Sequence, residues 1–305
     1  MKRKVITLLG AIILLVGITS TLFVIHAQQA NNGLSVHPSN FNLSINPGQS
    51  TTNTVTLDNL TSQPVTIQAE LRNFTAQGEE GGVSLTQNDT TYSLAKWITV
   101  TPTTATLAPH TSQQFTFTIN APYNAEPGGH FGSIVFATVP SSTTKGVGAA
   151  LSEQIASLVL LEIPGNVKEQ ADVVSFNTDK PFYQFGPVNF VTRVRNDGDV
   201  HIQPSGAILV KGMFGQQFNV PIEQLNILPN AIRIIPAALN KHFLIGKYDA
   251  TLVGTYGTKD EQLSATTEFY AFPVEYGVIV LVVLFILFLM RKRLGKALKA
   301  IMTGK

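Results

Sequence analysis

An alternation of apolar and polar residues between positions 33 and 272 most constrains the fold of this chain. Residues 41–45 (FNLSI), 65–71 (VTIQAEL) and 115–119 (FTFTI) each place apolar side chains at every second position. Because successive side chains of a strand point to opposite faces, this period predicts half-buried β-strands. Turn residues such as those at 46–48 (NPG) separate the runs. Many short strands without helical stretches predict antiparallel β-sandwiches.

The alternation breaks once and then restarts, which predicts two units. A strand pattern that ends at Ile163 is followed by Pro164, Gly165 and Asn166, and a new apolar alternation opens near Val173. We therefore predict an all-β ectodomain of two Ig-like antiparallel β-sandwiches, at residues 31–166 and 167–272.

Apolar segments occupy both ends of the chain. Residues 5–25 follow three basic residues and predict a signal peptide or signal anchor over 1–30, with cleavage and retention both open. Residues 278–290 (VIVLVVLFILFLM) contain no polar side chain, and counted from Pro273 the stretch approaches the ~20 residues that span a bilayer. We predict a transmembrane helix at 273–290 and a basic tail at 291–305.

The distribution of charge predicts the orientation of these segments. Nine of the 21 basic residues lie at the two ends, so the region between them carries 12 basic and all 19 acidic residues. The positive-inside rule then predicts a membrane protein with an extracytoplasmic ectodomain and a cytoplasmic C-terminal tail. The tail suits either a short helix on the inner leaflet or a plain stop-transfer segment. An acidic ectodomain argues against a nucleic-acid partner.

Signals for catalysis, cofactors and metals are weak. The chain has no cysteine, which excludes thiol chemistry, and its six histidines show no metal-ligand spacing. Residues 128–132 (GGHFG) precede a predicted strand rather than a helix, unlike a phosphate-binding loop. Residues 196–199 (NDGD) lack the later glutamate of a calcium loop and predict a hairpin turn. We expect no enzyme activity, no cofactor and no metal.

The same test applies to nucleophile–base and carboxylate pairs. His130 and Ser133 are three apart on a predicted strand, so their side chains should point to opposite faces. Glu79 and Glu80 lie among glycines, where solvated charge is the ordinary interpretation of a carboxylate pair.

Candidate contact residues lie in and around one of two stretches without strand character. Residues 75–92 and 141–148 predict long loops, which either bind a ligand or are mobile. Trp97, the only tryptophan, suits either the core or a ligand platform. The candidate ligand contacts are Glu79, Glu80, Tyr92, Trp97 and His130.

Two segments of the first unit, 34–74 and 97–137, carry a pattern of prolines and glycines around Trp97. The pattern comprises Pro47-Gly48, Trp97, Pro102, Pro109, Pro122 and Pro127 to Gly132. It resembles the peptidoglycan-binding domain of the WxL-interacting proteins of Gram-positive bacteria, and more loosely the Ig-like domains of pilus chaperones. The resemblance implies attachment at the cell wall, with the first domain contacting peptidoglycan and the ectodomain contacting surface proteins. Residues 195–257 resemble a general Ig-like module.

Two hypotheses follow from these features. The first is a non-enzymatic, membrane-anchored cell-surface binding or scaffold protein that contacts cell-wall polymer or partner surface proteins. The alternative is an accessory subunit of a membrane-bound secretion, assembly or transport complex, in which the membrane helix packs against partner helices near Glu275.

Overall fold

The computed structural model of the protein describes residues 33–139 and 153–303. The predicted signal segment 1–30 and the polar stretch 141–148 therefore lie outside the described residues. The strands are β1 (Leu34–His37), β2 (Asn40–Ser44), β3 (Ser50–Asn59), β4 (Val65–Gln77), β5 (Gly82–Thr86), β6 (Ile98–Thr101), β7 (Thr104–Leu107), β8 (Ser112–Asn120), β9 (Gly128–Thr138), β10 (Gln154–Ile163), β11 (Ala171–Thr178), β12 (Phe182–Tyr183), β13 (Val188–Asn196), β14 (Ser205–Gly212), β15 (Gln217–Pro221), β16 (Ile232–Leu239), β17 (Gly246–Tyr256) and β18 (Glu261–Ala271). A 3₁₀ helix (Ala95–Trp97) precedes β6, and helix α1 (Val274–Thr303) follows β18.

Strands β1 to β10 form the first sandwich. One sheet has the order β1-β3-β8-β6, and the other has the order β2-β10-β9-β4-β5 with β7 also paired to β4. All pairs are antiparallel except β2 with β10. The alternating residues 115–119 place Phe115, Phe117 and Ile119 fully inside, where Phe117 meets Phe41 edge-on at 4.9 Å between ring centroids.

Strands β11 to β18 form the second sandwich. A sheet of order β11-β13-β16 packs against a sheet of order β12-β18-β17-β14-β15. Its core includes Tyr248 and Phe269, whose rings stack at 5.1 Å. The predicted all-β class with Ig-like sandwiches is confirmed, and the predicted boundary at 166 falls between β10 and β11.

Two residues separate helix α1 from β18. The segment Val274–Arg291 is long and apolar enough to cross a membrane, with a mean hydropathy of 2.4 and side chains exposed on all sides. The helix continues without a break to Thr303, so the predicted division at residue 290 separates two compositions within one helix.

Two loop predictions need correction. Residues 75–92 were expected to lack strands, yet β4 runs to Gln77 and β5 begins at Gly82, because Gly78 and Gly81 adopt positive φ and turn the chain between them. Residues 196–199 do not close a hairpin. Instead, the buried Asn196 side chain donates to the carbonyls of Val200 and Ile227 and fixes an irregular loop.

The two sandwiches contact each other through the outer face of the sheet that contains β9. Phe74, Phe131 and Leu160 from the first sandwich cluster with Leu228 from the second, and all four are buried. The backbone N–H of Gly129 donates to the carbonyl of Asp199 at 2.9 Å. The sheet is therefore covered on both faces.

Candidate functional site

An open groove of about 370 Å³ lies at one end of the first sandwich. Its walls come from the segment between β5 and the 3₁₀ helix and from the loop between β8 and β9. The lining residues are Asp89, Thr90, Thr91, Ser93, Lys96, Trp97, Pro122, Asn124, Ala125, Glu126 and His130. Two of the predicted contact residues, Trp97 and His130, thus lie in one groove.

The Trp97 indole contacts both the core of the first sandwich and the groove. It is half-buried, packs against the hydrophobic core of the first sandwich and also lines the groove. Its ring lies 4.4 Å from the His130 ring, with 42° between the ring planes. The two interpretations of Trp97, core residue and ligand platform, are therefore compatible, and the buried His130 ring supports the indole from behind.

His130 is held in place by backbone carbonyls. Its Nε2 lies 3.0 Å from the carbonyl oxygen of Glu126, and its Nδ1 lies 3.3 Å from that of Ser93. The hydroxyl of Ser133 donates to the carbonyl of Arg72 instead. This arrangement joins the two walls of the groove through the imidazole and leaves His130 and Ser133 with separate partners.

Asn73 on β4 positions the segment that carries Trp97. Its buried side-chain Oδ1 accepts from the N–H groups of Leu94 at 3.0 Å and Ala95 at 2.9 Å, and its Nδ2 donates to the carbonyl of Asn88 at 3.2 Å. This role of Asn73 could not be predicted from the sequence, because no local pattern shows that a strand asparagine will cap a segment about 20 residues away.

The polar side chains of the groove are mostly exposed and of both charges. Lys96 forms an ion pair with Asp89, while Glu126 and Asn124 line the opposite wall. Hydroxyls from Thr90, Thr91 and Ser93 add donors and acceptors. An aromatic wall with a polar rim suits a ligand that has both an apolar surface and hydroxyl or amide groups. Among the residues that the structure describes, no group of three metal-type ligands occurs.

The part of the chain that forms the groove matches a protein-family model. Residues 23–138 match the model of the WxL Interacting Protein, peptidoglycan binding domain. The predicted resemblance is thereby confirmed, and the matched segment contains every residue that lines the groove. No curated protein matches the chain.

Solved structures with a similar arrangement are remote in sequence. The Class 5 fimbriae chaperone CfaA is 14% identical, with a TM-score of 0.38 over 78% of this chain and 99% of that one. The E. coli chaperone DraB is 14% identical, with a TM-score of 0.36 over 78% of this chain and 95% of that one. A PapD-like domain of human CEP192 is 12% identical, with a TM-score of 0.31 over 48% of this chain and 95% of that one.

The other three predicted contact residues, Glu79, Glu80 and Tyr92, do not line this groove. Glu79 sits in the β4–β5 turn, where both its carboxylate oxygens accept from Arg193 of the second sandwich at 2.6 Å. These bonds hold the pKa of Glu79 below its usual value. Glu80 is exposed in the same turn. Tyr92 packs beside Phe131, with 6.1 Å between ring centroids, and lines a smaller pocket next to His130.

A second cavity of about 370 Å³ lies between the sandwiches. Apolar side chains such as Phe74 and Leu158 form much of its wall, and Arg233 lies at its edge over Gly81. The Arg233 guanidinium donates to the carbonyl of Asn226 at 2.7 Å, and burial lowers its pKa. The cavity results from the contact between the two sandwiches.

Proposed function

We propose that the protein is a non-enzymatic, membrane-tethered cell-surface protein whose first sandwich binds cell-wall peptidoglycan in the groove beside Trp97. The observation that carries the proposal is the match of residues 23–138 to a peptidoglycan-binding domain model. The groove lies wholly within that segment.

The chemistry of the groove fits a glycan strand. A sugar ring presents an apolar face of C–H groups, which packs on an aromatic side chain, and a periphery of hydroxyl and amide groups, which exchange hydrogen bonds. Trp97, backed by the buried His130 ring, would supply the aromatic surface, and Asn124 with Asp89 would supply the polar rim. The mixed charge of the rim favours a glycan over a polyphosphate polymer, because Lys96 is already paired with Asp89.

The tether is the second part of the proposal. The apolar segment Val274–Arg291 spans about 27 Å as a helix, close to the ~30 Å of a hydrocarbon core. Basic residues follow it directly, so we place the C-terminus in the cytoplasm and both sandwiches outside. A non-enzymatic role is supported by the separate hydrogen-bond partners of His130 and Ser133.

Co-sedimentation of the full chain in detergent with purified cell-wall sacculi tests the binding site. We expect Trp97→Ala to weaken retention at least about ten-fold, equivalent to about 1.4 kcal/mol. Tyr123→Ala is the matched control, because the Tyr123 ring is 92% exposed, packs over Gly48 and does not line the groove.

A second variant separates binding from folding. Asn124 is exposed on the groove wall, so Asn124→Ala should weaken retention by a smaller factor with no change in thermal unfolding. Retention of both groove variants at the level of the unsubstituted chain would refute this site, and no retention of the unsubstituted chain would refute wall binding.

A further inference from the structure

One end of the second sandwich exposes large apolar side chains at the tips of two loops. Met213 and Phe214, in the turn between β14 and β15, are 64% and 65% exposed, and Phe243, between β16 and β17, is 58% exposed. Loop tips of a sandwich surrounded by water are usually polar, so this concentration needs a physical explanation.

The strand registers place these tips at the base of α1. Gly246, which opens β17, pairs with Ala271, which closes β18 three residues before α1 begins. Met213 and Phe214 lie against Gly246, since a Cβ at that glycine would stand 2.8 Å from the Met213 sulfur. Neighbouring strands are about 4.8 Å apart, so the β14–β15 turn lies within about 10 Å of Ala271, the last residue of β18.

Aromatic contacts fix one of the loops to the helix itself. The Phe185 ring stacks on His242 at 4.9 Å and meets Tyr276 edge-on at 5.6 Å. Tyr276 lies in the first turn of α1, and His242 precedes Phe243. The helix and the loop tips are therefore joined by packed side chains as well as by the chain.

The opposite end of the second sandwich is already occupied. Asp199, Asn226 and Leu228 lie in the loops at that end, and each contacts the first sandwich. The antiparallel pairing of β13 with β16 sets these loops far from Val188 and Leu239, which lie at the helix end. The apolar tips thus point away from the first sandwich and towards the membrane segment.

We propose that an apolar rim, defined as Met213, Phe214, Phe243, Phe272 and Tyr276, inserts into the interfacial layer of the same bilayer that α1 spans. The partner is a lipid surface, which accommodates apolar and aromatic side chains at the depth of the headgroups. The inference rests on the proposed membrane tether. It adds that the second sandwich itself rests on the outer leaflet, in addition to being attached through α1.

Lysines at this end fit the same partner. Lys241 is exposed, lies 5.9 Å from the centre of the Phe218 ring and has no carboxylate within ion-pair distance among the described residues. Lys211 is exposed on β14, two residues before Met213. Lipid phosphates would complement these cations, while the loop tips reach deeper. With two residues between β18 and α1, docking would set the height of the first sandwich above the membrane.

Site-directed spin labelling tests the rim, because the chain has no native cysteine. Single Phe214→Cys and Phe243→Cys variants of the full chain are labelled with a nitroxide and reconstituted in vesicles of phosphatidylcholine and phosphatidylglycerol. Leu209→Cys is the matched control, since Leu209 is 40% exposed on β14 about 13 Å from Met213. Leu284→Cys marks the centre of the apolar helix.

We expect the labels at 214 and 243 to be more accessible to oxygen and less accessible to a water-soluble nickel chelate than the label at 209, by at least about two-fold in the ratio. Labels at 214 and 243 that match the label at 209, with the label at 284 protected from nickel, would overturn the rim and keep the tether. A nickel-accessible label at 284 would overturn both.

Discussion

Strands β9 and β17 occupy comparable central positions in the two sandwiches, yet their burial differs. Every residue of β9 from Gly128 to Ala137 is buried, whereas β17 alternates between buried and exposed or half-exposed side chains. The difference arises because the first sandwich uses both faces of its large sheet, one for its own core and one for the second sandwich. The corresponding outer face of the second sandwich carries exposed residues such as Val253.

The composition of β9 follows from this double burial. Gly132 lies where a Cβ would approach Leu94, Ile98 and Ala95 within 3.1–3.3 Å, and Gly129 lies against Asp199 of the second sandwich. Glycine allows these close approaches, at some cost in strand propensity. The segment that carries Trp97 thus packs directly against β9. The same strand contributes to the groove and to the contact between the two sandwiches.

The largest expected effect on stability comes from removing a large buried side chain from β9. Phe131 is 3% exposed and packs between Phe74, Tyr92 and His201. Phe131→Ala should cost about 3–5 kcal/mol of unfolding free energy, because it leaves a cavity between the sandwiches. Val253→Ala, on the exposed face of β17, should change it by less than about 0.5 kcal/mol. Equal losses in denaturant unfolding would show that the two faces do not differ.

A pH titration examines the same interface. Burial lowers the pKa of His201 to about 4, and its Nδ1 has no hydrogen-bond partner. The unfolded chain takes up this proton near pH 6.5, so stability should fall as the pH decreases from about 6.5 to about 4, by roughly 3 kcal/mol. His201→Phe should remove this part of the pH dependence, which is measured as the free energy of unfolding at several pH values across that range. Parallel curves for the two chains would exclude a buried neutral histidine.

Asn73 lies on β4, the strand paired with β9, and holds the segment that lines the groove. Asn73→Ala leaves the N–H groups of Leu94 and Ala95 without their acceptor, which should cost about 1–3 kcal/mol for the buried donor. Sacculus retention should weaken as well, because the segment before Trp97 loses its anchor. Asn196→Ala, which removes a buried asparagine of the second sandwich, serves as the control. Equal retention of the two variants would argue against a positioning role for Asn73.

The smallest effect is expected for the ion pair between Glu79 and Arg193. Both side chains keep about a third of their surface exposed to solvent, so a double-mutant cycle with Glu79→Gln and Arg193→Gln should give a weak coupling that decreases with salt. Because the pKa of Glu79 is lowered, the contribution is present at neutral pH and is lost as the carboxyl protonates in acid. A coupling that is large and insensitive to salt would mean that this pair is desolvated and helps to clamp the sandwiches.

Local patterns predict the strands, the two sandwiches and the apolar helix, because period and hydropathy are local properties. Residues 115–119 form a buried core strand as their alternation indicates. The uniform burial of β9 depends on a second domain that no local pattern shows. For the same reason, Glu79 was expected at a ligand surface and pairs with Arg193, 114 residues away. Trp97 and His130 could be predicted as candidates, but their contact depends on the fold of the β5–β6 connection.

The fluorescence of Trp97 tests the central claim most directly, because it is the only tryptophan of the chain and lies in the proposed glycan groove. The full chain in detergent is titrated with soluble peptidoglycan fragments, and the emission spectrum is recorded at each concentration. We expect a saturable change in the intensity or wavelength of emission, because the indole exchanges contact with water for contact with a sugar face. An emission spectrum that stays constant at fragment concentrations where the chain is bound would contradict it and place the glycan elsewhere.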